Sequence, residues 1–286
     1  MEMFLEYKMV SSDEYSYIAS SIYGLQLKTA KYFNTTTENL RWYHYKEYVD
    51  KVLNFSILEA DLGDVTGRIL NGYAQILEDT VSIFVNTNKN QVKARQNFTL
   101  MHEISHGYCH LNENKRDIYL SFSDLHKQDP RDSYSELQAN IWASHLMLSD
   151  EAIFKYMELN YSFSAFVREF DISHAALFTR LKSFLVLTIG IPVVKAVTLI
   201  RNYEQLNDKS INEIITIFGK VATGVIGGYI DYHLIADGNI ENAALAISNL
   251  SRYFASEVEM PFKVSSYQTI AHAVYFNYAI KYVARI

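Results

Sequence analysis

The segment His102-Glu103-Ile104-Ser105-His106 carries the residue types from which a hydrolytic metal site can be built. In a helix, a spacing of four places the two imidazoles on one face, roughly 6 Å apart along the axis, so that both can bind one ion. Two neutral imidazoles bind Zn²⁺ without cancelling its charge, and the ion lowers the pKa of a water molecule to about 7. Glu103 would lie about 100° around the helix from His102, where it can accept the water's proton. The segment therefore predicts metal-assisted hydrolysis.

A pentapeptide of this kind also arises by chance, so the surrounding sequence decides whether it indicates a metal site. The range 92–111 contains no proline and one glycine, Gly107, and its apolar residues recur at spacings near three and four. This pattern predicts a largely buried helix from Val92 to Leu111, which could exclude water from a site. The alternative is a helix with a surface pair of histidines and no metal.

A third ligand is expected from a later helix, which the sequence offers between Tyr134 and Leu148. This range has no proline or glycine, and Ser133 is suited to cap its beginning. Glu136 would lie in the first turn, and Asn140, four residues on, could hydrogen-bond a ligand histidine and fix its tautomer. The alternative role for Glu136 is that of an acidic residue stabilised by the helix dipole.

Two separated stretches resemble the ImmA/IrrE metallopeptidases in residue type, order and spacing. The stretch FTLMHEISH, at 98–106, is similar to the family pattern FTLaHELgH, and ELQANIWASHLML, at 136–148, is similar to ExxANxFAxxLLMP. Weaker similarity extends to a strand ending at Asn86 and to a helix-turn-helix-like segment, FDISHAALFTRLK, at 170–182. The resemblance covers residues from about 65 to about 185.

The resemblance implies a zincin-like enzyme in which His102, His106 and Glu136 are the zinc ligands and Glu103 is the catalytic acid/base. A glutamate as third ligand is the gluzincin arrangement. The implied cofactor is Zn²⁺, with Mn²⁺ as a substitute in vitro. The implied substrate is a helix-turn-helix transcriptional repressor of a phage, integrative element or stress regulon, whose cleavage releases genes.

The sequence departs from the family pattern at two positions, with Trp142 in place of phenylalanine and Ser149 in place of proline. Both changes concern packing or a helix end, so they leave the ligands untouched. A polar stretch from Asn112 to Ser133 is expected to be a loop that shapes the substrate groove. His110 would lie about 12 Å along the helix from the first histidine of the motif, so packing or contact with a ligand is expected of it, not metal binding.

Composition and charge fit a soluble intracellular enzyme. The chain has 286 residues, of which 49% are hydrophobic and 20% charged, and its formal net charge is −6. This charge argues against a protein that coats nucleic acid, and the few cations of the helix-turn-helix-like segment argue against direct DNA contact. A single cysteine allows no internal disulfide, and the N-terminal residues show no basic region followed by an apolar stretch. A cytoplasmic protein is therefore expected.

We predict an α+β fold in three parts. Residues 1–150 would form a zincin-like minimal metallopeptidase domain with a small sheet, 151–188 a helix-turn-helix-like segment, and 189–286 a mainly helical C-terminal domain with a regulatory or dimerising role. In the sheet, strands at Val65–Leu77 and Val81–Asn86 would join at a turn, and the sheet edge could pair with an extended peptide.

Further elements are predicted from local patterns. Helices are expected at Ser11–Phe33 and Leu40–Phe55, and β-branched residues favour a strand at Ile189–Arg201. Later helices are expected at Asn212–Ile235, Asn239–Val258 and Tyr267–Ile280. The charged residues and glycines of 212–235 argue against a membrane span and favour a buried helix or a homodimer contact.

The sequence thus predicts a zinc-dependent site-specific endopeptidase that acts on an intracellular protein. Two alternatives stay open. One is a non-proteolytic regulatory binding protein in which the metal is structural or vestigial. The other is a toxin-like or defence component of a two-gene operon that retains a metal site.

Overall fold

The computed structural model describes residues 12–61, 63, 70–88, 91–111, 118–122, 133–189 and 191–220. They divide into two compact units whose segments alternate along the chain. The first unit contains Leu25–Ser149 and Val167–Ala176, and the second contains Asp150–Phe166, the described residues up to Gly24 and those from Leu177 onward. The helices expected beyond residue 220 lie outside the described residues, so the three-part division and the C-terminal domain stay predictions.

The first unit is built on a four-stranded sheet with the order β1-β3-β2-β4. β1 pairs with β3 in parallel, whereas β2 is antiparallel to both β3 and β4. β2 and β3 form the predicted hairpin, and the turn residues Glu78 and Asp79 have φ angles of 48° and 62°, as a two-residue type I′ turn requires. The strands are β1 Ser56–Ala60, β2 Leu70–Leu77, β3 Thr80–Asn86 and β4 Ile118–Phe122.

Helices cover the sheet of the first unit, and the two that contact each other most extensively carry the predicted ligands. The range 93–111 is helical as predicted, but α4 gives way to a π-helical turn at His106–His110, where the Leu111 N–H donates to the His106 carbonyl five residues back. The helices of this unit include α3 Trp42–Lys51, α4 Lys93–Ser105, α5 Ser133–Met147 and all but the first two residues of α2 Tyr23–Tyr32.

The second unit is helical where it is described. Its elements include α1 Ser12–Ser21, α6 Asp150–Glu158, α9 Val193–Leu206 and α10 Ser210–Lys220. Parts of α7 Phe163–Glu169 and α8 His174–Ser183 also belong to it, and α8 continues as a π-helix over Phe184–Ile189.

The helix-turn-helix-like segment comprises α7 and the helical range His174–Ile189, which meet at a bend of 108°. This angle is typical of helix-turn-helix pairs. Among the described residues, no single helix has the length and apolar composition needed to cross a membrane, although this bent pair reaches that threshold by length and composition alone.

The strand predicted at Ile189–Arg201 is wrong, because this region forms most of α9. Its β-branched residues favoured a strand, but Ala196, Ile200 and Tyr203 bury one helical stripe at spacings of four and three. Burial of that stripe outweighs the weak local preference for a strand.

Three other predictions are corrected. The single helix expected at 11–33 is two helices, and the Ser21 hydroxyl donates to the Ile18 carbonyl at 2.7 Å near the break, a bond that competes with the helical ladder. The helix expected at 40–55 ends at Lys51, and β1 follows it. The region expected to be a loop at 112–133 contains β4.

Candidate metal centre

Three side chains from α4, its π-helical turn and α5 point their donor atoms at one another. The Nε2 atoms of His102 and His106 are 3.1 Å apart. The two carboxylate oxygens of Glu136 each lie 3.2 Å from one of these nitrogens. Among the described residues, this is the one group of three or more His, Cys, Asp or Glu side chains arranged to hold a metal ion. The structure therefore brings the three predicted ligands together.

Burial and charge make this cluster receptive to a cation. Burial opposes the charged form of His102, but the hydrogen bond and charge of Glu136 outweigh it and raise the pKa of His102 to about 9. Burial lowers the pKa of His106 to about 4, although a hydrogen bond to the accepting carboxylate of Glu136 opposes this shift. Burial would raise the pKa of Glu136, but its contacts with both histidines hold that pKa well below the usual range. The buried carboxylate of Glu136 therefore favours a positive charge in the cluster, whether from a proton or from a metal ion.

The chemistry of the donor set fits a divalent transition-metal ion. Two imidazole nitrogens and one carboxylate are the three protein ligands of many hydrolytic sites, in which a fourth position is left for water or substrate. His106 is fully buried and His102 nearly so, whereas the side chain of Glu136 keeps 22% of its surface exposed. Solvent therefore reaches the cluster on the side of Glu136. The roles of His102, His106 and Glu136 as metal ligands stay a prediction.

Asn140 contacts the first histidine of the cluster. Its Oδ1 lies 3.1 Å from His102 Nδ1, one helical turn beyond Glu136 on α5. Because an amide oxygen can only accept, the contact requires a proton on Nδ1 and leaves Nε2 facing the cluster. The geometry is thus the one expected of a residue that fixes the ligand tautomer.

The second histidine contacts His110, the residue of which packing or contact with a ligand was expected. His106 Nδ1 lies 2.9 Å from His110 Nδ1, and His110 Nε2 lies 3.0 Å from Oε1 of Gln138 on α5. The ring of Trp142 packs 4.8 Å from the His110 ring, centroid to centroid. The position of His110 on the same helix gave the expectation for His110, whereas nothing in the sequence marks Gln138.

Glu103, the predicted acid/base, is completely buried beside the sheet. A Cβ atom on Gly72 of β2 would lie 2.9 Å from Glu103 Oε1 and 2.8 Å from both the Phe84 carbonyl oxygen and Thr99 Cγ2. Only glycine leaves this space open, so Gly72 allows the carboxylate to lie against the strand. An isolated glycine in a strand can signal such a close approach, and Gly72 is the sequence signal for this one.

Gly107 sets the distance between the π-helical turn and the sheet. A Cβ atom at this position would lie 2.8 Å from Val81 Cγ1 on β3 and 3.0 Å from Phe55 Cε2. The backbone directly after His106 therefore packs closely against apolar side chains of the first unit, which fixes the end of the ligand-bearing helix.

Comparison with known proteins places this region in a family. Residues 51–182 match the Peptidase_M78 family model, described as the IrrE N-terminal-like domain. No curated protein was found to match the chain. The matched residues include His102, Glu103, His106 and Glu136, and the match confirms both the resemblance read from the sequence and the α+β metallopeptidase fold. Residues 51–182 are thus similar to the domain that defines the Peptidase_M78 family of metallopeptidases.

Proposed function

We propose that this chain is a zinc-dependent, site-specific endopeptidase in which His102, His106 and Glu136 hold the ion. The observation that carries the proposal is the convergence of three donor groups at 3.1–3.2 Å, inside a metallopeptidase-family domain. When bound, Zn²⁺ supplies Lewis acidity at the scissile carbonyl and makes a water molecule acidic enough to react at neutral pH.

Glu103 is the proposed catalytic acid/base. It follows His102 directly, is completely buried, and lies close enough that its charge contributes to the raised pKa of His102. A carboxylate in this position accepts a proton from the attacking water and then delivers it to the leaving amine. The space beside Gly72 keeps the carboxylate against the strand while it does so.

The proposed substrate is an intracellular protein, specifically a helix-turn-helix transcriptional repressor. This choice rests on the resemblance of the two motifs to ImmA/IrrE enzymes. The sheet is suited to a protein substrate because β4 is an edge strand, and edge strands present backbone groups that can pair with an extended peptide. The net charge of −6 disfavours nucleic acid as the main partner.

The test is Glu103→Gln, which preserves size but removes the proton-accepting group. Zinc-loaded wild-type protein and the variant are each incubated with candidate helix-turn-helix repressors from the genes that flank its own, and fragments are identified by mass spectrometry. We expect one defined cut by the wild type and a loss of about 10²-fold or more in cleavage rate for Glu103→Gln, with zinc retained. Glu213→Gln, at an exposed position on α10, is the matched control and should cleave normally.

A reporter of repression in cells separates cleavage from binding. If Glu103→Gln relieves repression fully and no fragments appear, the protein works by sequestering its partner, and the peptidase mechanism is wrong. If neither protein affects the repressor in cells or in vitro, the proposed substrate is wrong. Loss of both derepression and fragments in the variant alone supports the proposal.

A further inference from the structure

A line of three side chains runs from α5 to the second histidine of the metal centre. Gln138 Oε1 contacts His110 Nε2 at 3.0 Å, and His110 Nδ1 contacts His106 Nδ1 at 2.9 Å. His106 Nε2 then faces His102 and Glu136. The question is which atoms carry protons, because a histidine binds a metal only through an unprotonated nitrogen.

The amide oxygen of Gln138 determines which atom donates in each of the hydrogen bonds along this line. Because Oε1 of Gln138 can only accept, His110 must donate from Nε2. A neutral imidazole carries one proton, so His110 Nδ1 is left as an acceptor, and His106 must donate from its own Nδ1. His106 Nε2 then carries the lone pair that points into the cluster.

We propose that His110 and Gln138 are positioning residues that hold His106 in the tautomer able to bind the ion. This inference rests on the metal site of the proposed function, though not on its substrate. Asn140 acts on His102 in the same way, so amide groups on α5 orient both histidines, one directly and one through His110. Both amides are neutral, so they add no negative charge around the ion, whereas a carboxylate in their place would.

Local structure holds the intermediary in place. His110 is 3% exposed, and the Trp142 ring packs against its ring. In the π-helical turn at His106–His110, the Leu111 N–H donates to the His106 carbonyl five residues back, not to the carbonyl four residues back as in an α-helix. This turn brings the two Nδ1 atoms to 2.9 Å. π-Helical turns are frequent at functional sites, where they reposition side chains of an α-helix.

The test compares variants that remove the acceptor with one that keeps it. Gln138→Leu removes the acceptor at nearly constant size, whereas Gln138→Glu retains an accepting oxygen. His110→Phe keeps a ring but cannot relay the hydrogen bond. Gln205→Leu, at an exposed position on α9, is the matched control. The dissociation constant for Zn²⁺ is measured on folded full-length protein by competition with a chromogenic chelator.

We expect Gln138→Leu and His110→Phe to bind Zn²⁺ about 10- to 100-fold more weakly than the wild type. Gln138→Glu keeps the acceptor and adds negative charge near the ion, so it should bind Zn²⁺ at least as tightly as the wild type, and Gln205→Leu should bind as the wild type does. In Co²⁺-loaded protein, the paramagnetically shifted N–H proton of His106 should resist solvent exchange in the wild type and exchange faster in the first two variants. If altered packing alone were the cause, Gln138→Leu and Gln138→Glu would weaken Zn²⁺ binding to a similar extent.

Several outcomes would overturn the inference. Wild-type affinity in Gln138→Leu would show that the line does not orient His106. Equal losses in Gln138→Glu and Gln138→Leu would show that the effect is one of packing. If His110→Phe does not fold, the two Gln138 variants still decide the matter. A wild-type protein that binds no Zn²⁺ refutes the metal site itself, which is a different result from any of these.

Discussion

Each of the two units contains a buried cluster of charged or ionisable side chains, and the clusters differ in the cation that balances the buried carboxylate. In the second unit, the carboxylate of Asp150 pairs with the guanidinium of Arg180, at 2% and 3% exposure, and Arg180 also donates to the Tyr15 hydroxyl at 3.4 Å. In the first unit, two imidazoles and the Glu136 carboxylate converge with comparable burial of the histidines.

The difference lies in the source of the positive charge. Arg180 is always protonated, so the pair with Asp150 contains its own cation and needs nothing from solution. The histidine cluster offers lone pairs around a carboxylate, and its cation must be a proton or an ion taken up from solvent. Burial of ionisable side chains alone therefore does not indicate a functional site. Buried metal-ligand atoms that lack a permanent cation, such as those of the histidine cluster, do indicate one.

Arg180→Met should cause the largest loss of stability. It leaves the Asp150 carboxylate buried without its guanidinium, and such a loss typically lowers the free energy of unfolding by about 3–5 kcal/mol. Urea unfolding at neutral pH measures the change, and Arg201→Met, at an exposed position on α9, is the control. The folded fraction of Arg180→Met should bind Zn²⁺ as the wild type does. A stability close to that of the control would mean that the ion pair is not needed for folding.

Trp142→Ala should combine lost stability with weaker metal binding. Trp142 is 4% exposed and packs on His110, and removing a buried tryptophan costs about 3–5 kcal/mol through the cavity it leaves. The denaturation midpoint reports the first effect, and chelator competition on the folded protein reports the second. An unchanged midpoint would show that this ring does not support the site.

Two helical glycines should respond in opposite directions to alanine. At Gly107 the added methyl would meet Val81 and Phe55, so we expect a loss of about 1–3 kcal/mol by overpacking. At Gly24 in α2 nothing lies within 4 Å of the added Cβ, so the higher helix propensity of alanine should stabilise the protein by about 0.5–1 kcal/mol. Thermal unfolding measures both, and equal effects would contradict the close packing of the turn after His106.

The parts that the sequence predicted well depend on short-range patterns. The spacing in His102-Glu103-Ile104-Ser105-His106 requires only a helix to bring the imidazoles together, and the Glu78-Asp79 turn requires only local backbone preferences. The position of Glu136 needed the family resemblance, because 30 residues separate it from His106 and no local rule spans that distance.

The parts that were missed depend on packing between distant segments. β1 is a strand because it pairs with β3, and β4 because it pairs with β2, so their own residues signal little. The bond between His110 and Gln138 forms only because α5 packs against α4 and its π-helical turn. In the same way, buried contacts of Ala196 and Ile200 turned a β-branched segment into α9.

Metal content tests the central claim most directly. Wild type, His106→Ala, Glu136→Ala and Arg180→Met are purified, dialysed against buffer with Zn²⁺ and then without it, and analysed by mass spectrometry for metal. The account predicts close to one Zn²⁺ per chain in the wild type and in Arg180→Met, almost none in His106→Ala, and partial loss in Glu136→Ala, in which two imidazoles remain. Full occupancy in His106→Ala would contradict the assignment of the cluster as the metal site.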